Sequence, residues 1–258
     1  MRFILIGLIF LTGVTVLVAA PLTQSTFTEI IQHVDVVAAA DKTVTPARTN
    51  EVFRSPDVVR TGENSRLEMT APDQTVTRVG ANTVFTFETG GRDIRLFRGS
   101  VLFHPPAGVG GGTVRYGGTA AAVLGTTMIC AVLPDGSFKI MLLEGKATVK
   151  LANGQSIELK AGQMVIVPPA GDRFGPVLDV DLARLVYHLL LVVGFSNSLS
   201  SMPLITEAIR LQNEQIVAGT LDHFVDISLA TSGLDVIGID LNFPLNVQDH
   251  TTIFISPD

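Results

Sequence analysis

The side chains that could do chemistry are few and scattered. Histidine occurs at His33, His104, His188, His223 and His250, and no pair has a recognisable metal spacing. Cys130 is the single cysteine, which excludes both an internal disulfide and a site built from several thiolates. It stands in the apolar run Met128-Ile129-Cys130-Ala131-Val132, which suits a small core residue better than a reactive thiol. Asp222, Asp226, Asp235 and Asp240 do not match the spacing of a calcium loop. Gly108-Val109-Gly110-Gly111-Gly112 lacks the Gly-Lys-Ser/Thr ending of a phosphate cradle, so a flexible loop is expected there. There is no Gly-x-Ser-x-Gly elbow. Glu144 is the most tempting single carboxylate, because it precedes a turn glycine, Gly145. The equivalent positions of two related segments hold Arg98 and Ala161, so an exposed turn corner is expected at Glu144. No catalytic residue, metal or cofactor is expected.

The elements that would hold these groups are short strands. Lys146-Ala147-Thr148-Val149-Lys150-Leu151 and Ser156-Ile157-Glu158-Leu159-Lys160 alternate polar and apolar residues, which puts one face on a core. Thr83-Val84-Phe85-Thr86-Phe87 is rich in β-branched and aromatic residues. Segments Leu96–Phe103, Leu142–Val149 and Leu159–Ile166 share a pattern of apolar residue, two others, glycine and strand. Gly62, Gly80, Gly99, Gly125, Gly145 and Gly162 recur about every 20 residues, as turns in stacked strand–turn–strand units would. A rolled or solenoid-like β-domain accounts for that period, and so does a sandwich of hairpins similar in length. Residues 50–168 are assigned to this domain, and 21–49 to an N-terminal extension. In the remaining 169–258, helices are predicted near 181–195, capped by Asp179-Val180-Asp181, and near 203–218, opening at Pro203 and ending before Gly219. Leu234 to Ile255 has β-like pieces without a clear architecture.

Residues 1–20 differ in kind. Met1-Arg2, the apolar Phe3 to Val18 and the small Ala19-Ala20 follow the order of a secretory signal peptide; an N-terminal membrane anchor is the alternative. Export to the periplasm or cell envelope is expected on either reading. With 47% hydrophobic and 16% charged residues the chain can bury a core, and its net charge of −6 without basic clusters speaks against nucleic-acid binding. The absence of Trp and presence of two Tyr leave few platforms for stacking bases or sugars.

Six pieces in order resemble the FecR domain family: Val59-Arg60-Thr61-Gly62-Glu63-Asn64-Ser65-Arg66-Leu67, Arg78-Val79-Gly80-Ala81-Asn82-Thr83, Leu96-Phe97-Arg98-Gly99-Ser100-Val101, Thr119–Thr126, Leu143–Ala147 and Leu159–Gln163. The resemblance implies an extracytoplasmic all-β signalling or binding module without catalytic residues. Its best known members hold a sigma factor through a cytoplasmic N-terminal segment. Only Met1-Arg2 precede the apolar segment, so sigma regulation by this chain alone is not expected. The expected partner is an envelope protein, or a glycan if the chain is a structural or glycan-binding protein of the envelope. Arg92, Arg95, Arg98, His104 and Arg115, near the loop at 104–112, are the candidate contacts.

Overall fold

The computed structural model describes residues 21–221 and 223–237; the expected leader, and all but the start of the β-like stretch from Leu234, lie outside the described residues. Seventeen strands and four helices are found there. The chain opens with β1 (Gln24–Ile31), β2 (Val34–Val37), β3 (Val44–Pro46), β4 (Val52–Arg54), β5 (Val58–Thr61) and β6 (Arg66–Thr70). It continues through β7 (Val76–Val79), β8 (Val84–Phe87), β9 (Asp93–His104), β10 (Gly112–Tyr116), β11 (Thr119–Val123) and β12 (Thr127–Val132). The last strands are β13 (Phe138–Glu144), β14 (Lys146–Lys150), β15 (Ser156–Lys160), β16 (Gln163–Val167) and β17 (Leu178–Asp179).

All strands join one open hydrogen-bonded array, which is folded over at β9. One layer, here the middle sheet, runs β4-β1-β6-β7-β9-β12-β13-β16-β17. The other, the outer sheet, runs β3-β2-β5-β8-β9-β10-β11-β14-β15. The first half of β9 pairs with β8 and β10, and the second half with β7 and β12. Hairpins therefore alternate between two facing sheets. The expectation of a rolled β-body followed by a smaller helical region describes this chain. Segment 21–49 is more than an extension: its β1 lies between β4 and β6, and its β2 between β3 and β5.

Burial follows from this layering. Phe27, Val59, Phe85, Phe87, Val101, Phe103, Met128 and Cys130 belong to one core between the sheets. The intervening residues Leu102, Ile129, Met141 and Leu143 point the other way, into a second core beneath the helices. Strands β12 and β13 are thus buried on both faces, which is why they read as unbroken apolar runs. Strand β14 alternates exposed and buried residues because the outer sheet has one face in water. Cys130 is a fully buried core residue, and burial pushes its thiol pKa up.

The recurring glycines mark crossings between sheets more than hairpin turns. Gly99, Gly125, Gly145 and Gly162 all have positive φ. At Gly99, where β9 changes sheets, φ is +81 and a Cβ would lie 2.5 Å from Thr83 Cα. Gly62 and Gly80 occupy similar crossings without a positive φ, which falls instead on Asn64 and Asn82. Four hairpin turns use a different device. The side chains of Asp41, Asp73, Asp135 and Asn153 accept from the N–H two residues on, while the residue between is left-handed.

The helical region covers the free face of the middle sheet. Helix α1 (Leu182–His188) starts at Asp181, whose carboxylate accepts from Arg184 N–H at 3.0 Å. The single helix expected near 181–195 is broken at Leu189, before α2 (Leu190–Val193). The break has a cause: Leu189 bridges Val236, Leu190 N–H donates to Asp235 O, and Ile237 N–H donates to His188 O. Helix α3 (Met202–Val217) has Pro203 in its first turn, as expected, and α4 (Ile227–Thr231) closes the layer. Among the described residues no helix is long and apolar enough to cross a membrane.

Two buried cations fix these helices to the sheet. Arg78, on β7, is bonded to Glu68 Oε2 at 2.8 Å and donates to Val192 O at 2.7 Å and Asn197 O at 2.5 Å. Lys139, on β13, donates to Ala230 O at 2.7 Å and also to Leu229 O and Ser232 O. Each cation thus meets carbonyls at a helix C-terminus, where the partial charge is negative. Burial pushes the Lys139 ammonium down to about 7, and the three carbonyls oppose that shift.

Candidate functional site

The five candidate contacts do not form one patch. Arg92 is buried: Nε donates to Gly111 O at 2.5 Å, Nη2 to Thr75 Oγ1 at 2.8 Å, and Nη1 lies 2.6 Å from Asp73 Oδ2. It fastens the loop at 105–112 to the β6–β7 hairpin. The loop's end at Gly111 and Gly112 is consequently packed, while Ala107, Gly108 and Gly110 are exposed. A Cβ on Gly111 would stand 2.1 Å from Val123 O, and one on Gly112 would stand 2.5 Å from the Phe103 ring. Arg95 and Arg115 are register partners on parallel β9 and β10. Each has its own acid, Glu88 at 2.6 Å and Asp93 at 2.7 Å. Arg98 is exposed beyond them. The outer face therefore keeps Arg95, Arg98 and Arg115, with the first and last neutralised.

His104 is also buried, and it brings Glu144 with it. The Thr127 hydroxyl donates to Glu144 Oε1 at 2.7 Å and lies 3.0 Å from His104 Nδ1. His104 Nδ1 is 3.7 Å from the same carboxylate oxygen. Glu144 is 5% exposed, so the expectation of an exposed turn corner is corrected. It ends β13 in the middle sheet, where the helical layer covers it. Burial pushes its carboxyl pKa up, against the pull of the Thr127 hydrogen bonds. Burial pushes the His104 imidazole down, opposed by the Thr126 backbone. A hydroxyl between histidine and carboxylate has the composition of a nucleophile and its base. Here the hydroxyl is fully buried, and a nucleophile must reach its substrate, so the cluster as folded is a set of satisfied core polar groups. Among the described residues no three His, Cys, Asp or Glu side chains gather as a metal site would need.

A groove of about 830 Å3 runs over the outer sheet, lined by glycines 90, 91, 110 and 112 and by Thr113, Ala122 and Leu124. Leu124 is 78% exposed, the most open of the large apolar side chains among the described residues. Its floor is built from the paired strands β10, β11 and β14. The sequence pattern pointed to the loop but not to the groove, because its floor is set by strand pairing between β10, β11 and β14.

Residues 57–148 match the family described as FecR protein. The matched segment runs from the start of β5 into β14 and holds the loop at 105–112, Arg92, His104, Thr127, Glu144 and Leu124. Two crystal structures of a proposed anti-sigma factor from Parabacteroides distasonis ATCC 8503 are similar to this chain. One shares 20% identity at a TM-score of 0.44, covering 50% of this chain and 63% of that one. The other shares 19% identity at a TM-score of 0.44, covering 50% and 62%. No curated protein matches.

Proposed function

We propose that this chain, which carries a FecR domain at residues 57–148, is an extracytoplasmic signalling module that acts by binding a protein partner and performs no chemistry. The family match supports a signalling or regulatory role. The location rests on the basic, apolar and small order of residues 1–20. The observation that carries the binding role is the groove of about 830 Å3 on the outer sheet, with the exposed Leu124 in its lining. A peptide chain can lie against glycine and alanine more closely than against large side chains. The polar groups with chemical potential, His104, Thr127 and Glu144, are buried and do not line it.

The test is photo-crosslinking in cells of the source organism, with a crosslinking amino acid in place of Leu124. One discrete protein adduct is expected, lost on Ala122→Glu, and formed only in the compartment outside the cytoplasmic membrane. A smear removed by free cell-wall sugar would replace the protein partner with a glycan. No adduct above that of a probe at exposed Lys42, or adducts only with cytoplasmic proteins, would overturn the proposal.

A further inference from the structure

Helix α3 turns Ile205, Ile209 and Gln212 to the core. A second apolar stripe, Leu204, Ala208 and Leu211, lies beside it at helical spacing, with Ala208 half-buried and the two leucines exposed. Leu204 is 52% exposed and Leu211 46%. The stripe and Ala161 line a groove of about 440 Å3 between the helix and the sheet corner at Gly145 and Lys160. An exposed apolar stripe in a concave site marks a docking surface rather than scattered surface leucines.

The charges at the mouth say what would dock. Lys146 and Lys160 line the groove and are directly opposed in the β14–β15 register. Like charges in opposed positions repel. Lys146 finds Glu158 at 3.3 Å, an exposed and weak pair, while among the described residues the Lys160 ammonium has no ion pair. The groove's two acids are already committed. Glu207 is held by Arg210 at 2.7 and 2.8 Å, and Glu144 is turned into the core toward Thr127. The available charge at the groove is therefore positive, on a protein of net charge −6.

We infer that the groove between α3 and the β14–β15 corner binds a protein segment that presents apolar side chains next to carboxylates. The apolar side chains fill the space between Leu204 and Leu211, and a carboxylate bridges Lys146 and Lys160, relieving their repulsion. The groove is a concave slot, which fits a peptide segment better than the flat surface of a membrane. This inference rests on the interaction-module reading and adds a second surface to it, which adjoins the first at Gly145 and Lys146 but does not include Leu124.

The experiment uses the full chain and a fluorescent peptide of repeated Glu-Glu-Leu-Leu, with Lys-Lys-Leu-Leu as its counterpart. Anisotropy should show binding of the first and not of the second. Leu211→Glu and Lys160→Glu should each weaken binding about tenfold or more, as loss of a central anchor does. Lys150→Glu, the same charge change farther along β14, should leave it unchanged. High salt, about 0.5 M, should weaken binding by the unaltered chain, which controls for misfolding of the variants. Equal binding of both peptides, or full binding by both Leu211→Glu and Lys160→Glu, would overturn the inference. So would binding to phosphatidylglycerol vesicles in place of the peptide. If the peptide fails while the Leu124 adduct persists, this groove assignment falls and the module reading stands.

Discussion

Removing the Arg78 side chain tests the way the helical layer is held. Its guanidinium is fully buried and serves four groups: Glu68 at 2.8 Å, Val192 O at 2.7 Å, Asn197 O at 2.5 Å and Leu191 O at 3.3 Å. It also sits 4.4 Å from the centre of the Phe195 ring. Arg78→Met keeps the unbranched apolar stem and deletes the guanidinium with its charge and donors. It strands Glu68, whose remaining partner is the Thr28 hydroxyl at 2.9 Å. Breaking a buried pair by removing one partner costs about 3–5 kcal/mol. Each carbonyl orphaned at the end of α2 adds about 1–3 kcal/mol where water does not replace the donor. A total of at least about 4 kcal/mol is expected, or a Tm lowered by at least roughly 8–16 °C at this chain length. The chain has no Trp, so unfolding is followed by far-UV circular dichroism in urea and by calorimetry. Adding Glu68→Gln to Arg78→Met should recover about 1–3 kcal/mol relative to the sum of the single changes. A loss under about 1 kcal/mol for Arg78→Met, or simple additivity in the double variant, would refute the anchoring role.

Two further outcomes follow from the crossings and from the buried carboxylate. Gly99→Ala should cost about 3 kcal/mol or more by urea denaturation, because its Cβ meets Thr83 Cα at 2.5 Å; Gly154→Ala, with φ +89 and open space, should cost only the left-handed penalty of about 1 kcal/mol, and equal costs would place the strain elsewhere. Burial raises the Glu144 carboxyl above 4.5, so the folded chain holds that proton more tightly than the unfolded one, and the contribution is lost as pH rises through the raised value. Glu144→Gln keeps an acceptor for Thr127 and should abolish this fall in calorimetric stability above pH 4.5; an unaltered pH profile would refute it. His104, lowered by burial, works in the opposite sense, its contribution lost as pH falls below 6.5, and remains in the variant as an internal reference.

Period and alternation were legible in the sequence because they depend on neighbours along the chain. The strict alternation at 146–150 and 156–160 became β14 and β15, with one wet face each. The double-sided burial of Met128-Ile129-Cys130-Ala131 was readable as an apolar run and placed Cys130 correctly in the core. Pro203 and Asp181 marked real helix starts. The break at Leu189 was not readable, because backbone groups more than forty residues on, at 235–237, create it. Chain pairing of β1 with β6 was hidden for the same reason, and 21–49 looked like an extension only because its partners are distant.

The misreading of Glu144 has a more specific origin. Arg98, Glu144 and Ala161 stand at equivalent places before a glycine, yet the crossings they precede run in different directions. Gly99 and Gly162 carry the chain from the outer sheet to the middle one, while Gly145 carries it from the middle sheet outward. The residue before the glycine therefore ends an outer, wet strand at Arg98 and a middle, covered strand at Glu144. A repeat in sequence is a repeat of backbone geometry, and it fixes environment only when layer is conserved too. Arg78 and Lys139 escaped notice by the same logic. Each occupies the alternate position of a strand, where a cation normally faces water. What covers them lies 114 and 91 residues further along and is carbonyl oxygen at helix ends, joined at Arg78 by the Glu68 carboxylate. A helix end presents its negative charge through the backbone alone, so no residue type in the sequence could announce the partner.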